Sequence, residues 1–244
     1  MEKLAKLVIF IIATSCSLSG TYASDGMHAF TATYTVQNKF VTGGKAQLTL
    51  QSVQEQRYQL RLETTPTGVF KLSKKGEIIE TSELATLQPP FLSSYYSYVN
   101  KGDKDRNYSI TYDRSKGEAL VEKRGNLERI NINADVQDRL SMTLSVMSQL
   151  QTNPQTGTFV LPLFDNKKAA NVEFFTKGQQ TLKTKIGQLE TTVIERRRVN
   201  SNRHTITWFS NLGPANLPVP VRIEQFKRGK MTLRLKITNF SVIE

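Results

Sequence analysis

The sequence predicts a mainly β protein: a large antiparallel, strongly curved sheet or incomplete barrel with one covering α-helix at about residues 133–150. Three observations carry this. Apolar residues recur at every second position along many short segments. No crossover helices of the kind that join parallel strands lie between those segments. Roughly a dozen strands are also too many for a flat sheet, because sheets of that size curl or split into layers.

The first strand is Phe30, Ala32, Tyr34 and Val36 on one face with Thr31, Thr33, Thr35 and Gln37 on the other. Gly43-Gly44 then supplies a permissive turn, and Ala46, Leu48 and Leu50 alternate with Gln47, Thr49 and Gln51, so these two strands should form a hairpin. A third strand places Tyr58, Leu60 and Leu62 on its dry side and ends at Pro66 and Gly68. Shorter strands follow at 69–72, 77–82, 94–100, 106–112, 118–122 and 127–131. Between Asn133 and Leu150 the spacing becomes helical, with Val136, Leu140, Leu144 and Met147 in a narrow stripe. Asn133 or Asp135 can cap that helix, and Gln137, Arg139, Ser141 and Ser148 form its polar face, so it should lie on a sheet or across one opening. Strands resume at 158–163, 171–177, 181–185, 189–196, 203–209, 219–226 and 231–242. In the last, Met231, Leu233, Leu235 and Ile237 alternate until Phe240 breaks phase, which places a bulge near Asn239.

The N-terminus reads as a signal peptide over residues 1–23: Lys3 and Lys6 precede an apolar run that begins at Leu7, and Thr21-Tyr22-Ala23 offers a cleavage site. The run is shorter than the roughly 20 residues that span a bilayer. The single cysteine, Cys16, lies within this segment behind Ala13-Thr14-Ser15, an arrangement akin to a lipoprotein box. Lys6 leaves that box an unusually short hydrophobic lead, so cleavage after Ala23 is the preferred reading and an outer-membrane lipoprotein the second. Residues 24–244 should then form one β-rich domain in the periplasm, without disulfides or cysteine ligands. The formal charge is +12, and loss of Lys3, Lys6 and Glu2 leaves +11. A basic exported protein meets anionic membrane surfaces and envelope polymers rather than nucleic acid.

Catalytic constellations are sparse. His28 and His204 have no partners at metal-ligand spacing, so neither a metal nor a cofactor is expected. Ser141 lacks the glycine-flanked turn of a nucleophile elbow. The carboxylate pairs Glu77 with Glu80, and Glu190 with Glu195, have a spacing common on β surfaces. Two features are less ordinary. Phe91 and Tyr95, Tyr96 and Tyr98 follow Pro89-Pro90, and these tyrosines with Trp208 are the candidate ligand-contacting residues. Basic residues gather near turns, and Lys74, Lys75, Arg196, Arg197, Arg198, Lys227 and Arg228 are the candidates for contact with an anion or a membrane surface.

Several segments together resemble domain-of-unknown-function family 3108 of exported bacterial proteins. They are Phe30-x-Ala32-x-Tyr34-x-Val36, Gly44-x-Ala46, Tyr58-x-Leu60 leading to Thr65-Pro66-x-Gly68, and Glu80-x-Ser82. Asp138-x-Leu140-Ser141, Trp208, Leu217-Pro218-Val219 and Val221-Arg222-Ile223-Glu224-Gln225 continue the series. Pro220 and the Gly213-Pro214 loop depart from the pattern. The resemblance implies a periplasmic β-rich protein and carries over no catalytic residues.

These readings converge on a non-catalytic periplasmic protein that binds a lipid-like molecule or an envelope partner. The rival is a hydrolase or lyase acting on cell-wall polysaccharide, which needs two carboxyl groups about 5 to 10 Å apart across a cleft.

Overall fold

The computed structural model describes residues 27–38, 41–68, 71 and 76–243. The expected signal peptide with Cys16, and Lys74 and Lys75, lie outside the described residues, as does most of the strand expected at 69–72.

Eight strands precede the α-helix: β1 (Phe30–Asn38), β2 (Val41–Gln54), β3 (Arg57–Pro66), β4 (Ile78–Leu84), β5 (Ser93–Asn100), β6 (Tyr108–Asp113), β7 (Glu118–Lys123) and β8 (Asn126–Asn131). The helix is α1 (Ser141–Thr152). Six strands follow it: β9 (Thr158–Asp165), β10 (Lys168–Thr184), β11 (Gly187–Arg198), β12 (Arg203–Leu212), β13 (Leu217–Lys227) and β14 (Lys230–Val242). All fourteen form one sheet in the order β8-β7-β6-β5-β4-β3-β2-β1-β14-β13-β12-β11-β10-β9, with every neighbouring pair antiparallel. Strands next to each other in sequence therefore pair, except β8 and β9, and β1 joins β14 at the centre.

The sheet is not closed by hydrogen bonds between β8 and β9, but it curls until those edges face each other. Lys167, in the β9–β10 turn, forms an ion pair with Glu128 of β8, and Lys123 donates to Asn166 Oδ1 at 3.1 Å. The curvature follows from the twist of a long sheet and from bulges that sharpen it. One of these lies where Thr33 pairs with Asn239 and Tyr34 with Ile237, which leaves Thr238 unpaired beside the position read from the sequence.

Period-two burial holds along β1, where Phe30, Ala32, Tyr34 and Val36 are buried and the threonines between them are partly exposed. The glycines of the first hairpin serve differently from expectation. Asn38 pairs with Val41, so the chain reverses before Gly43, and Gly44 sits inside β2 at a register shift opposite Val36. A Cβ there would stand 2.9 Å from the Thr65 carbonyl oxygen, so close passage of β3 explains the glycine. The segments expected at 171–177 and 181–185 are one strand, β10, whose register shifts between Thr176 and Gln179.

The single covering helix is present, and it corrects the sequence reading in extent. It begins at Ser141, not at 133, because the preceding backbone is committed elsewhere. Gln137 N–H donates to the Pro162 carbonyl, its own carbonyl accepts from Phe164 N–H, and the Arg114 guanidinium takes the Ala134 and Val136 carbonyls. Neither Asn133 nor Asp135 caps the helix. Asp138 Oδ1 does so instead, accepting from the N–H groups of Leu140 and Ser141 at 2.7 and 2.9 Å and from Ser82 Oγ at 2.6 Å. Of the residues expected on its polar face, Ser141 is buried and Gln137 is buried ahead of the helix, while Arg139 and Ser148 are partly exposed; Met142, Leu144, Met147 and Leu150 are buried. The helix thus covers part of the concave side of the sheet. The buried Gln137 amide nitrogen donates to the Pro90 carbonyl and to Ser145 Oγ, while its oxygen has no hydrogen-bond partner among the described residues.

Candidate functional site

Between the start of α1 and strands β10 to β13 the concave side stays open. The cavity has two joined compartments, one of about 180 Å³ and a mouth of about 380 Å³, which share Arg139, Arg196, Thr205 and Gln225. Its character changes along the strands. Ile194 pairs with Thr207, and Thr207 with Ile223, which gives an apolar rung against Leu140, Met142 and Val146 of the helix region. Two residues on, Arg196 pairs with Thr205 and Thr205 with Gln225, a polar rung at the junction. Beyond it Arg203 pairs with Lys227, and with Arg198 these form a cationic rim beside His204. Strand periodicity produces this gradient, because Ile194, Arg196 and Arg198 share one face of β11.

A buried ionic network walls one side. Arg139 donates to the Tyr96 hydroxyl at 2.8 Å and pairs with Glu80 at 2.9 Å and Asp165 at 3.9 Å. The Tyr96 hydroxyl donates to Glu80 at 2.7 Å, the Tyr108 hydroxyl donates to Asp165, and Arg198 reaches Asp165 at 3.2 Å. Burial pushes the Asp165 carboxyl up, but Arg139, the Tyr108 hydroxyl and Arg198 together outweigh it and hold the group below its ordinary value of 3.8. Burial likewise opposes the charge of Arg139, and Glu80, Tyr96 and Asp165 more than restore it.

Arg196 is treated differently. Among the described residues it makes no hydrogen bond or ion pair, although it lines both compartments. Burial, followed by repulsion from Arg198 and Arg139, pushes its guanidinium down to about 10, so it remains charged at neutral pH at a cost. The junction therefore holds three guanidiniums, Arg139, Arg196 and Arg198, against two carboxylates, Glu80 and Asp165.

Of the residues singled out in the sequence, Arg196, Arg198 and Lys227 come together at the cavity. Arg197 points to the other face of β11, where it pairs with Glu195 at 2.7 Å, and Arg228 is exposed in the β13–β14 turn. Tyr96 and Tyr98 are buried against Tyr108, with ring centroids 5.9 and 5.7 Å from it, and Tyr95 lies half-buried on the alternate face of β5. Trp208 alternates with the lining residues Thr207 and Phe209; its indole N–H donates to Gln180 at 2.8 Å and Arg222 stacks on its ring. The carboxylate pairs noted in the sequence are not cleft pairs: Glu77 binds Lys101, Glu190 accepts from Thr181, and Glu195 pairs with Arg197. The sequence reading missed Glu80 and Asp165 as partners through Arg139, and Arg203 at the rim. Arg203 was legible in principle, since it lies in phase with Thr205 and Thr207.

Comparison with known proteins places this architecture. The chain resembles a β-barrel-like protein of domain of unknown function DUF1849 from Brucella abortus, with a TM-score of 0.56, 10% identity, and coverage of 90% of this chain and 99% of that one. A protein with a YmcC-like fold from Bacteroides fragilis aligns over 88% of this chain and 97% of its own at 8% identity, but its TM-score of 0.35 is too low to establish a shared fold. No curated protein matches the sequence. Residues 30–236 match the family described as "Protein of unknown function (DUF3108)", so they span the whole cavity and all but the end of β14: the chain belongs to the DUF3108 family.

Proposed function

We propose that this is an exported, non-catalytic envelope protein that holds an amphipathic, lipid-like molecule in the cavity between α1 and β10 to β13. The observation that carries the reading is the gradient along that cavity, from the Ile194–Thr207–Ile223 rung to the rim of Arg198, Arg203 and Lys227. Ligand sites pair apolar walls with a few polar groups that fix orientation, and this one has both in sequence along each strand. The signal peptide pattern at 1–23 supports export to the periplasm. Carriage is preferred to polysaccharide hydrolysis because Glu80 and Asp165 are neutralised by one shared arginine and each accepts a tyrosine hydroxyl. A general acid needs a carboxyl held above its ordinary range, and Asp165 is held below it.

The test is binding of a neutral, polarity-sensitive naphthylamine probe to the mature protein. Wild type should enhance its emission, and Thr207→Trp, which fills the apolar rung, should abolish the enhancement while leaving the melting temperature in place. Equal emission from both proteins removes the cavity from consideration.

A further inference from the structure

The proposed cavity leaves the nature of its occupant open, and its dimensions and charges narrow it. We infer that the site takes a single-chain amphiphile with an anionic oxygen head group, whose chain enters the apolar compartment and whose head is received by Arg196; this rests on the carriage reading above.

The apolar compartment measures about 180 Å³, below the roughly 300 to 1,000 Å³ of pockets that enclose a drug-sized molecule. A space of that size takes the end of one acyl chain, with the rest running out through the mouth, and leaves no room for a second. Arg196 stands where this compartment meets the mouth, and it is the cation there for which the fold supplies no hydrogen-bonding or ion-pairing partner among the described residues. Its neighbours show that the fold can supply them: Arg139 has Glu80 and Asp165, and Arg198 has Asp165. A half-buried guanidinium left unmatched beside two others is stabilised by an incoming anion. Asp165 also faces the mouth and would oppose an anion, but its oxygens are already occupied by Tyr108 and Arg198, with Arg139 near by. Arg203 and Lys227, paired across β12 and β13, extend the positive field outward and favour entry head-last, with the chain leading.

The experiment is calorimetric titration of the mature protein with dodecyl phosphate, dodecanol and inorganic phosphate, all below micelle-forming concentration. Wild type should bind dodecyl phosphate about tenfold or more tightly than dodecanol, as expected of one charge-assisted contact in a sheltered site. Arg196→Gln should erase that preference and keep dodecanol binding, whereas Arg196→Lys, which retains the charge, should keep most of it. Equal binding of dodecyl phosphate and dodecanol to wild type, or a preference that survives in Arg196→Gln, overturns the head-group assignment and leaves carriage intact. Inorganic phosphate binding as tightly as dodecyl phosphate overturns the amphiphile in favour of a free-anion site. Absence of binding by every probe defeats the carriage reading as well.

Discussion

The inner face of the sheet under β1 to β8 is largely filled, meeting the cavity only at Leu62 and Glu80, while the inner face under β10 to β13 is partly hollow, although both alternate between buried and exposed positions. The inward residues of the first region are large: Phe30, Tyr34, Leu60, Tyr96, Ile110 and Tyr112 are all buried, and Tyr34 reaches across to donate to the Pro220 carbonyl at 2.9 Å. The inward residues of the second include Thr205, Thr207, Arg196 and Gln225, which are shorter or charged. Alternation thus decides which face is inward, and side-chain volume and charge decide whether that face closes. Arg139 and Arg196 show the same contrast in one residue type, since the first is fully matched by carboxylates and the second is not.

The sharpest way to break this comparison is to remove the matched cation. Arg139→Met leaves Glu80 and Asp165 without their shared partner and should cost about 3 to 5 kcal/mol in urea unfolding. A loss below 1 kcal/mol would show that the network is solvated and the two arginines equivalent. Truncation on the filled side comes next: Leu144→Ala, at a fully buried position on the helix, should cost about 2 to 5 kcal/mol. Thr207→Ala on the hollow side should stay within about 0.5 kcal/mol, because it enlarges a space already open. Equal costs at the two positions would mean that the cavity is closed in solution.

Arg196→Leu should act in the opposite direction, raising stability by about 0.5 to 2 kcal/mol in the same assay, because an unmatched guanidinium is replaced by a shorter, apolar side chain. Destabilisation would show that Arg196 has a structural partner. The smallest effect is confined to acid. Asp165 is held below its ordinary 3.8, so its stabilising contribution is complete above that value and disappears as pH falls through the lower folded value. Melting curves between about pH 2 and pH 6 should show wild type losing stability more steeply below 3.8 than Asp165→Asn.

Much of the sheet was legible because β1, β2 and the middle of β14 are wetter on one side than on the other, and that asymmetry is written at every second residue. Even the unpaired Thr238 announced itself through the phase break at Phe240. The start of α1 was not legible, since Val136 and Leu140 keep helical spacing while Arg114 and β9 claim the intervening backbone groups. Local pattern cannot register hydrogen bonds made to residues twenty or more positions away. The site divides in the same manner. The phase of Ile194, Arg196 and Arg198 on one strand was visible, but the union of Glu80, Arg139 and Asp165 depends on three elements meeting across the curl of the sheet. The tyrosines drew attention as a cluster, and the structure shows Tyr96 working through its hydroxyl on Glu80 and Arg139.

The pairing of β1 with β14 bears on how such a chain is made. Before β14 docks, the chain consists of two separate meanders, β1 to β8 and β9 to β13, each with a raw border at β1 or β13 and no ladder between them. Their covalent link at that stage runs through the helix segment, and both borders are templates for mispairing with other unfolded copies. Residues 230–242 cover both at once, so this one strand converts two sticky half-structures into one molecule.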